Sequence, residues 1–223
     1  MLSIVSTPIG NLTDITLRAI ATLTKANAII CEDTRVTGNL IKQLQIPKKE
    51  LISMHSYTSD NKIYEVIKRL KKGEHMAVVS DAGTPAISDP GFKLISQARE
   101  KGISIEVIPG PSAFLAALSV SGLPANRFVY LGFPPLKKGR KKFFESIADD
   151  DRTIVYYESV HRIEKSLDEL AKVLNDQPDR RVSVARELTK IHEEVIDTTV
   201  SELPEVAERI TKKGEFVVVV GAI

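Results

Sequence analysis

The sequence predicts an α/β protein divided into two domains, on three observations. Short β-branched runs alternate with amphipathic stretches along the whole chain, the rhythm of strands alternating with helices. The 223 residues suit two domains of roughly 100 residues, each large enough to bury a core. Gly122-Leu123-Pro124 interrupts the rhythm, so the boundary is placed near Ser121–Pro124 and the domains are read as residues 1–121 and 122–223.

In the first domain the pattern predicts a strand at Leu2–Ser6 and a helix near Asp14–Lys25, then a strand at Asn27–Glu32 and a helix near Thr34–Leu44. A strand at Leu51–Met54 leads to a helix at Asp60–Lys72 closed by Gly73, and the apolar Met76–Ser80 is the next strand. Asp89 and Pro90 mark a helix start, with Asp89 as cap and Pro90 where its missing N–H costs nothing; Gly102 ends that helix. Ser104–Ile108 reads as a strand, and the loop Pro109-Gly110-Pro111-Ser112 caps a small-residue helix at Ala113–Ser121. The second series is strand Phe128–Phe133, helix Lys141–Ile147, strand Thr153–Glu158, helix Arg162–Leu174 and strand Arg181–Glu187. Val195–Val200 alternates like an edge hairpin strand, Leu203–Thr211 follows as a helix, and Glu215–Gly221, with its four consecutive valines, reads as a strand buried on both faces.

Composition narrows the function classes. Apolar residues at 43% and charged residues at 27% describe a globular chain without a disordered tract. A net charge of +2 means that any nucleic-acid contact must rest on a local patch or be limited. The single cysteine, Cys31, follows the apolar Ala28-Ile29-Ile30 and reads as a buried small hydrophobe in a reducing compartment. The amino terminus lacks the basic flank and length of a signal peptide, and no apolar run approaches the ~20 residues of a membrane span. A cytoplasmic protein is expected. There is no P-loop and no G-x-G-x-x-G after any strand, which sets aside the commonest nucleotide-binding loops. His55, His75, His161 and His192 lack metal-ligand spacing; Glu32, Asp33, Asp81 and Asp89 suit Mg²⁺ in type, but Arg35 and a helix start can satisfy the first two, so no metal is expected.

Polar and small residues gather where strands end: Thr7-Pro8-Ile9-Gly10-Asn11, Ser80-Asp81-Ala82-Gly83-Thr84-Pro85, and Pro109-Gly110-Pro111-Ser112-Ala113. Carboxyl ends of strands in open α/β sheets are where ligands bind, because backbone N–H groups and side chains there point into a crevice. Any one such loop can also be a plain turn, but Asp81, Thr84, Ser88 and Asp89 within nine positions exceed what a turn requires. Cys31-Glu32-Asp33-Thr34-Arg35 runs from an apolar strand into two acids and an arginine; helix capping by Asp33 or Thr34 accounts for only part of this. Tyr156–Arg162 and Arg186–Glu194 load polar groups at two further strand ends, where capping by His161 and a solvated Lys190–Glu193 pair are the structural alternatives. Lys137-Lys138-Gly139-Arg140-Lys141-Lys142 packs five cations into six residues; it is either a solvated loop or a phosphate-contacting strip.

Taken in order, Thr7–Leu12 with Asp14 and Arg18-Ala19, Cys31–Arg35, Val79–Gly91, Ile108–Ala113 with Ala117-Leu118-Ser119, Ser121–Pro124, Tyr157–Arg162, Glu187–Glu194 and Gly214–Val218 closely resemble the ribosomal RNA small subunit methyltransferase I family. Its members are the bacterial 16S rRNA cytidine 2′-O-methyltransferases of the tetrapyrrole methylase superfamily. The resemblance spans almost the whole chain, and Ser80–Pro85 followed by Ile87–Gly91 is far more specific than a glycine motif. It implies a tetrapyrrole methylase-like fold of two non-identical α/β domains with S-adenosylmethionine in the cleft between them, and a homodimer. Carried over by motif, it implies cofactor contacts at Pro8, Asp81, Thr84, Ser88, Ser112, Ala113, Tyr157, Leu188 and Phe216 beside Glu215. Many members continue into a basic C-terminal extension, whereas this sequence stops at Gly221-Ala222-Ile223, which leaves the grip on 16S rRNA or the 30S subunit to Lys137–Lys142 or a partner.

Transfer of a methyl group from a sulfonium is an in-line displacement, so alignment and exclusion of water are the main requirements. A ribose hydroxyl is a poor nucleophile, and a base or a nearby cation should help it. Lys190, Asp33 and Glu158 are the candidates for that role; Arg35 and Arg162, with Lys137, Lys138, Arg140, Lys141 and Lys142, are the candidates for holding RNA. Two other readings stay open: a porphyrin, corrin or diphthamide-precursor methyltransferase of the same fold, and a non-catalytic ribosome-binding module.

Overall fold

A computed structural model describes residues 1–55, 58–88 and 91–223. The chain divides into two compact units, residues 1–112 and 113–223. The expected division near Ser121 came later because the intervening helix, α5 (Ala113–Val120), packs against two strands of the second sheet rather than joining the first. The helix start expected at Asp89-Pro90 lies outside the described residues, as does Asp89 as a candidate carboxylate.

The first unit is a parallel five-stranded sheet in the order β3-β2-β4-β1-β5, with β1 Leu2–Val5, β2 Ala28–Cys31, β3 Glu50–Ser53, β4 Met76–Val78 and β5 Ile105–Ile108. Helices α1 (Leu17–Lys25), α2 (Thr34–Gln43), α3 (Asp60–Lys71) and α4 (Phe92–Glu100) connect them. Because strand side chains alternate between faces, Leu2, Ile4, Ala28, Ile30, Met76 and Val78 meet α3 and α4 through Ile63, Ile67, Leu70 and Leu94. Val5, Ile29, Cys31 and Ala77 meet α1 and α2 through Ala19, Leu23 and Ile41. Both faces are covered, so β1, β2 and β4 are buried at every residue, as their unbroken apolar runs require. The helix expected near Asp14–Lys25 is in two pieces: a 3₁₀ turn at Leu12–Asp14, then α1. Thr16 decides this by accepting from the Ala19 N–H at 3.0 Å, which sets the helix start.

This order has a functional consequence. The chain leaves β1 into α1 on one face of the sheet and leaves β4, the neighbouring strand, into α4 on the other. Such a switch point opens a crevice at the strands' carboxyl ends.

The second unit is a mixed sheet in the order β6-β7-β10-β8-β9, with β6 Phe128–Tyr130, β7 Thr153–Ser159, β8 Arg181–Arg186, β9 Glu194–Thr199 and β10 Glu215–Val220. Only the β6–β7 pair is parallel. One face carries Ile154, Tyr156, Val182, Val184, Phe216, Val218 and Val220 against α6 (Arg140–Ala148), α7 (Ile163–Val173) and α8 (Leu203–Arg209). The other face of β7 and β10 receives α5. The valine run is therefore a central strand covered on both faces, and β9 is the edge. Among the described residues no helix is long and apolar enough to cross a membrane.

Arg180 ties this unit together from inside. Its guanidinium, in a residue only 7% exposed, donates to the carbonyls of Gly221 at 2.7 Å, Ile147 at 3.1 Å and Asp150 at 3.1 Å, and to Gln177 Oε1 at 2.8 Å. It collects the carbonyls left over at the end of α6 and beyond β10. Arg180→Met should leave those acceptors buried and unpaired, at a cost of about 3 kcal/mol in urea unfolding; a midpoint equal to the parent's would show that water replaces the guanidinium.

Candidate active site

Strand β1 lies between β4 and β5, so the loops that follow these three strands are neighbours at one edge. The Thr7 N–H donates to the Gly83 carbonyl at 2.9 Å and the Gly83 N–H returns to Thr7 at 3.1 Å. Thr7 Oγ1 adds a bond to the Ser80 carbonyl at 3.2 Å. The third loop joins through hydroxyls: Thr84 Oγ1 donates to the Pro111 carbonyl at 3.2 Å, so at its 3.0 Å contact with Ser6 Oγ it must be the acceptor. Gly110 allows the close approach, since a Cβ there would stand 3.0 Å from the Ser6 Cβ. Ser6, Thr7 and Ser80 are buried and spend their hydroxyls on this frame.

What the frame leaves facing outward is Gly10, Asp81, Ala82 and Ser88, all exposed, with Pro8, Thr84 and Ser112 half-buried. Ala86 sits at φ +63°, a left-handed conformation that costs a non-glycine residue energy and recurs at ligand sites. Beside the frame a small open recess is lined by Ile30, Cys31, Glu32, Met54, Val78, Val79, Ser80 and Gly91. Asp81 Oδ1 accepts from the Asp33 backbone N–H at 3.1 Å, bringing the β2 loop to the same edge.

Asp33 is not placed as a base. It caps α2 by accepting from the Arg35 N–H at 2.7 Å, and it takes the Arg35 Nη2 at 2.6 Å. Those hydrogen bonds hold its carboxyl far below the ordinary range, so it is a poor proton acceptor at neutral pH. The Arg35 side chain is 87% exposed.

The second unit brings together, at one edge, the carboxyl ends of β6, β7 and β8 and the start of β10. Tyr157 is half-buried among Phe114, Tyr130 and Phe133, with its hydroxyl accepting from the Phe114 N–H at 3.3 Å. Phe216, expected beside the cofactor, is 1% exposed in the α6–α7–α8 core; β10 turns this side chain away from the α5 face and into that core. Leu188 is buried.

Glu158 also departs from expectation. It is 1% exposed and accepts from Ser166 Oγ at 2.5 Å, the Ser159 N–H at 2.7 Å, Arg162 Nη2 at 2.9 Å and Arg140 Nη1 at 3.4 Å. A carboxylate saturated in this way is a structural hub rather than a base. The same network removes two arginines from the RNA-contacting strip. Arg140 is buried, donating also to Glu169 at 2.7 Å and lying over the Phe144 ring. Arg162 also donates to Ser159 Oγ at 3.1 Å and to the Pro134 carbonyl at 3.0 Å. Lys137, Lys138, Lys141 and Lys142 remain exposed.

Lys190 pairs with Glu187 Oε1 at 2.7 Å and Glu215 Oε2 at 3.0 Å, not with Glu193, whose carboxylate caps the Thr189 N–H. Partial burial pulls its ammonium down, but the two carboxylate hydrogen bonds outweigh that and hold it above the ordinary lysine range. At neutral pH it is a cation. Glu187 and Gly214, which shape this group, lie in blocks that carry the family resemblance, but their part here depends on a left-handed backbone and a close approach across strands, which the sequence does not show.

A family model of the tetrapyrrole (corrin/porphyrin) methylases matches residues 1–204. The chain belongs to this family. Its similarity within the tetrapyrrole methylases runs to proteins named ribosomal RNA small subunit methyltransferase I. That of Thermotoga maritima is 42% identical over 98% of this chain and 96% of the relative. That of Hydrogenobaculum sp. is 44% identical over 98% and 94%, and that of Xylella fastidiosa 46% identical over 98% and 80%. Among solved structures, a cobalt precorrin-4 methyltransferase of cobalamin biosynthesis superposes with a TM-score of 0.70 at 19% identity, covering 99% of this chain and 94% of the other. A diphthine synthase gives 0.71 at 16% identity over 99% and 89%. At those identities the structures show the tetrapyrrole methylase fold and nothing finer.

The reassignment of Glu158 is testable. Glu158→Ala strands the buried Arg140 guanidinium and should cost about 3–5 kcal/mol in urea unfolding. A variant as stable as the parent but unable to turn over would return Glu158 to the catalytic set.

Proposed function

We propose that this chain is an S-adenosylmethionine-dependent methyltransferase that modifies a cytidine ribose 2′-hydroxyl in 16S rRNA, acting in the cytoplasm as a homodimer. The observation that carries the reading is the 42–46% identity over 98% of the chain to relatives that share one name, and that name says ribosomal RNA small subunit methyltransferase.

The first unit's strand-end loops fit the cofactor in the chemistry of their donor set. At the β1–β4 switch point they combine backbone carbonyls, hydroxyls and one exposed carboxylate, Asp81, with little competing charge. Such groups suit a ribose diol, an adenine edge and an electron-poor sulfur. Pro8, Asp81, Thr84, Ser88 and Ser112 are the residues of this unit assigned to hold it; Ala113, Tyr157 and Leu188 of the second unit are assigned to it by the family resemblance alone. When bound, the cofactor supplies an electrophilic methyl group on sulfur.

The protein's part is alignment and electrostatics. With Asp33 clamped and Glu158 saturated, Lys190 is the remaining candidate, and as a cation it acts by lowering the pKa of the 2′-hydroxyl rather than by taking its proton. The bound cofactor would supply the methyl group in exchange for its sulfur–carbon bond, and the hydroxyl proton would leave to water. Lys137, Lys138, Lys141 and Lys142, a local basic surface of the second unit on a chain of net charge +2, are assigned to phosphates, and so is the exposed Arg35 of the first unit.

Labelled S-adenosylmethionine and 30S subunits lacking ribose methylation should yield 2′-O-methylcytidine on nuclease digestion and mass mapping. Cofactor binding without RNA labelling would discard the substrate and send the same assay to tetrapyrroles and the diphthamide precursor; no cofactor binding would favour a non-catalytic ribosome-binding module. Lys190→Ala should reduce turnover at least ~100-fold while cofactor affinity measured by calorimetry stays within about twofold; unchanged turnover would remove Lys190 from the mechanism.

A further inference from the structure

The turn after β8 is built at conformational expense. Glu187 and Thr189 sit at φ +50° and +66°, two left-handed non-glycine residues within three positions, a conformation that costs each of them energy. The turn is nevertheless braced throughout. The Glu187 N–H donates to the Glu215 carbonyl at 3.1 Å, and Glu187 Oε1 accepts the Glu215 N–H at 3.1 Å together with Lys190 Nζ at 2.7 Å. The Lys190 N–H donates to the Glu187 carbonyl at 3.0 Å and the Glu193 N–H to the Lys190 carbonyl at 3.1 Å. Opposite stands Gly214 at φ +91°, where a Cβ would fall 2.3 Å from Glu187 Cγ and 2.5 Å from Oε1. The Glu187 carboxylate therefore occupies the volume that any other residue at 214 would fill.

A surface lysine needs none of this. An exposed ion pair contributes little to stability, so strain, a glycine that leaves the carboxylate room and a backbone hydrogen bond spent on fixing it have their use in what that carboxylate holds. We propose that Glu187 is a positioning residue: seated in the space left by Gly214, it fixes the Lys190 ammonium, with Glu215 as second acceptor, at the strand edge where the substrate hydroxyl is activated. This rests on the role given to Lys190 above.

The other charges of the cluster do not replace it. Arg186 is committed to Glu194 at 3.0 Å and to the Lys213 carbonyl at 3.3 Å, Glu193 caps Thr189, and the Glu215 side chain is 80% exposed, where water weakens its hold. Lys190 in turn keeps Glu187 below the ordinary carboxylate range. The sign follows: removing the Glu187 charge lowers the pH at which Lys190 loses its proton and frees its side chain.

Glu187→Gln should cut the turnover number at least tenfold, with the cofactor dissociation constant within about twofold. In competitive acylation at pH 8–9, read by mass spectrometry, the reactivity of Lys190 relative to Lys141 should rise about tenfold in the same variant, whether or not substrate is present. Gly214→Ala, which displaces the carboxylate without removing it, should shift both readouts in the same direction and add nothing to Glu187→Gln. Glu187→Asp, which keeps the charge, should recover part of the loss and serves if Glu187→Gln fails to fold. If Lys190→Ala abolishes turnover while Glu187→Gln and Gly214→Ala leave turnover and labelling unchanged, the positioning role is wrong and the role of Lys190 stands. If Lys190→Ala keeps full turnover, the role of Lys190 is wrong and the positioning role falls with it.

Discussion

Two parallel strands side by side, β1 and β4, send their chains to opposite faces of the first sheet, and the pair of backbone hydrogen bonds between Thr7 and Gly83 spans the gap that results. Everything proposed for the first unit depends on that bridge. The ends of parallel strands leave polar backbone groups that a buried edge cannot tolerate unpaired. Here the hydroxyls of Thr7, Ser80 and Thr84 donate to such carbonyls and Ser6 braces Thr84, so these side chains build the walls of the edge.

At the corresponding edge of the second unit, residues of the same chemical type do opposite things because burial differs. Glu158 and Arg140 are enclosed, and both carboxylate oxygens and all three guanidinium nitrogens are hydrogen-bonded within the network. Such a network is costly to break and unavailable for chemistry. Lys190 is held by two carboxylates yet remains 30% exposed, so its charge can still act on a group that approaches from outside. The fixed carboxylate of Glu187 stands between these extremes, half-enclosed and committed to the cation.

Backbone strain follows the same distribution. The described non-glycine residues at positive φ are Gln45, Ala86, Glu187 and Thr189. Three of these four lie in loops assigned to cofactor or to Lys190, and none is inside a strand or helix. Regular elements supply the stability, and the loops at their ends carry the conformations that regular structure excludes.

The order and type of almost every element could be read from the sequence, because alternating burial and terminal Gly, Pro and polar residues are local properties. So could the three polar loops of the first unit and their place at strand ends, and Cys31 as a buried apolar residue. Strand order could not, since it depends on which crossovers pack across the sheet; only it makes those loops neighbours. Nor could α5 be assigned to its sheet, Arg140 and Arg162 be separated from the exposed lysines beside them, or Glu158 be told apart from a catalytic acid. The reason is the same in each case: the sequence determined what each residue is able to do, whereas burial and the nearest partner, set by contacts between distant segments, decided which of those things it does.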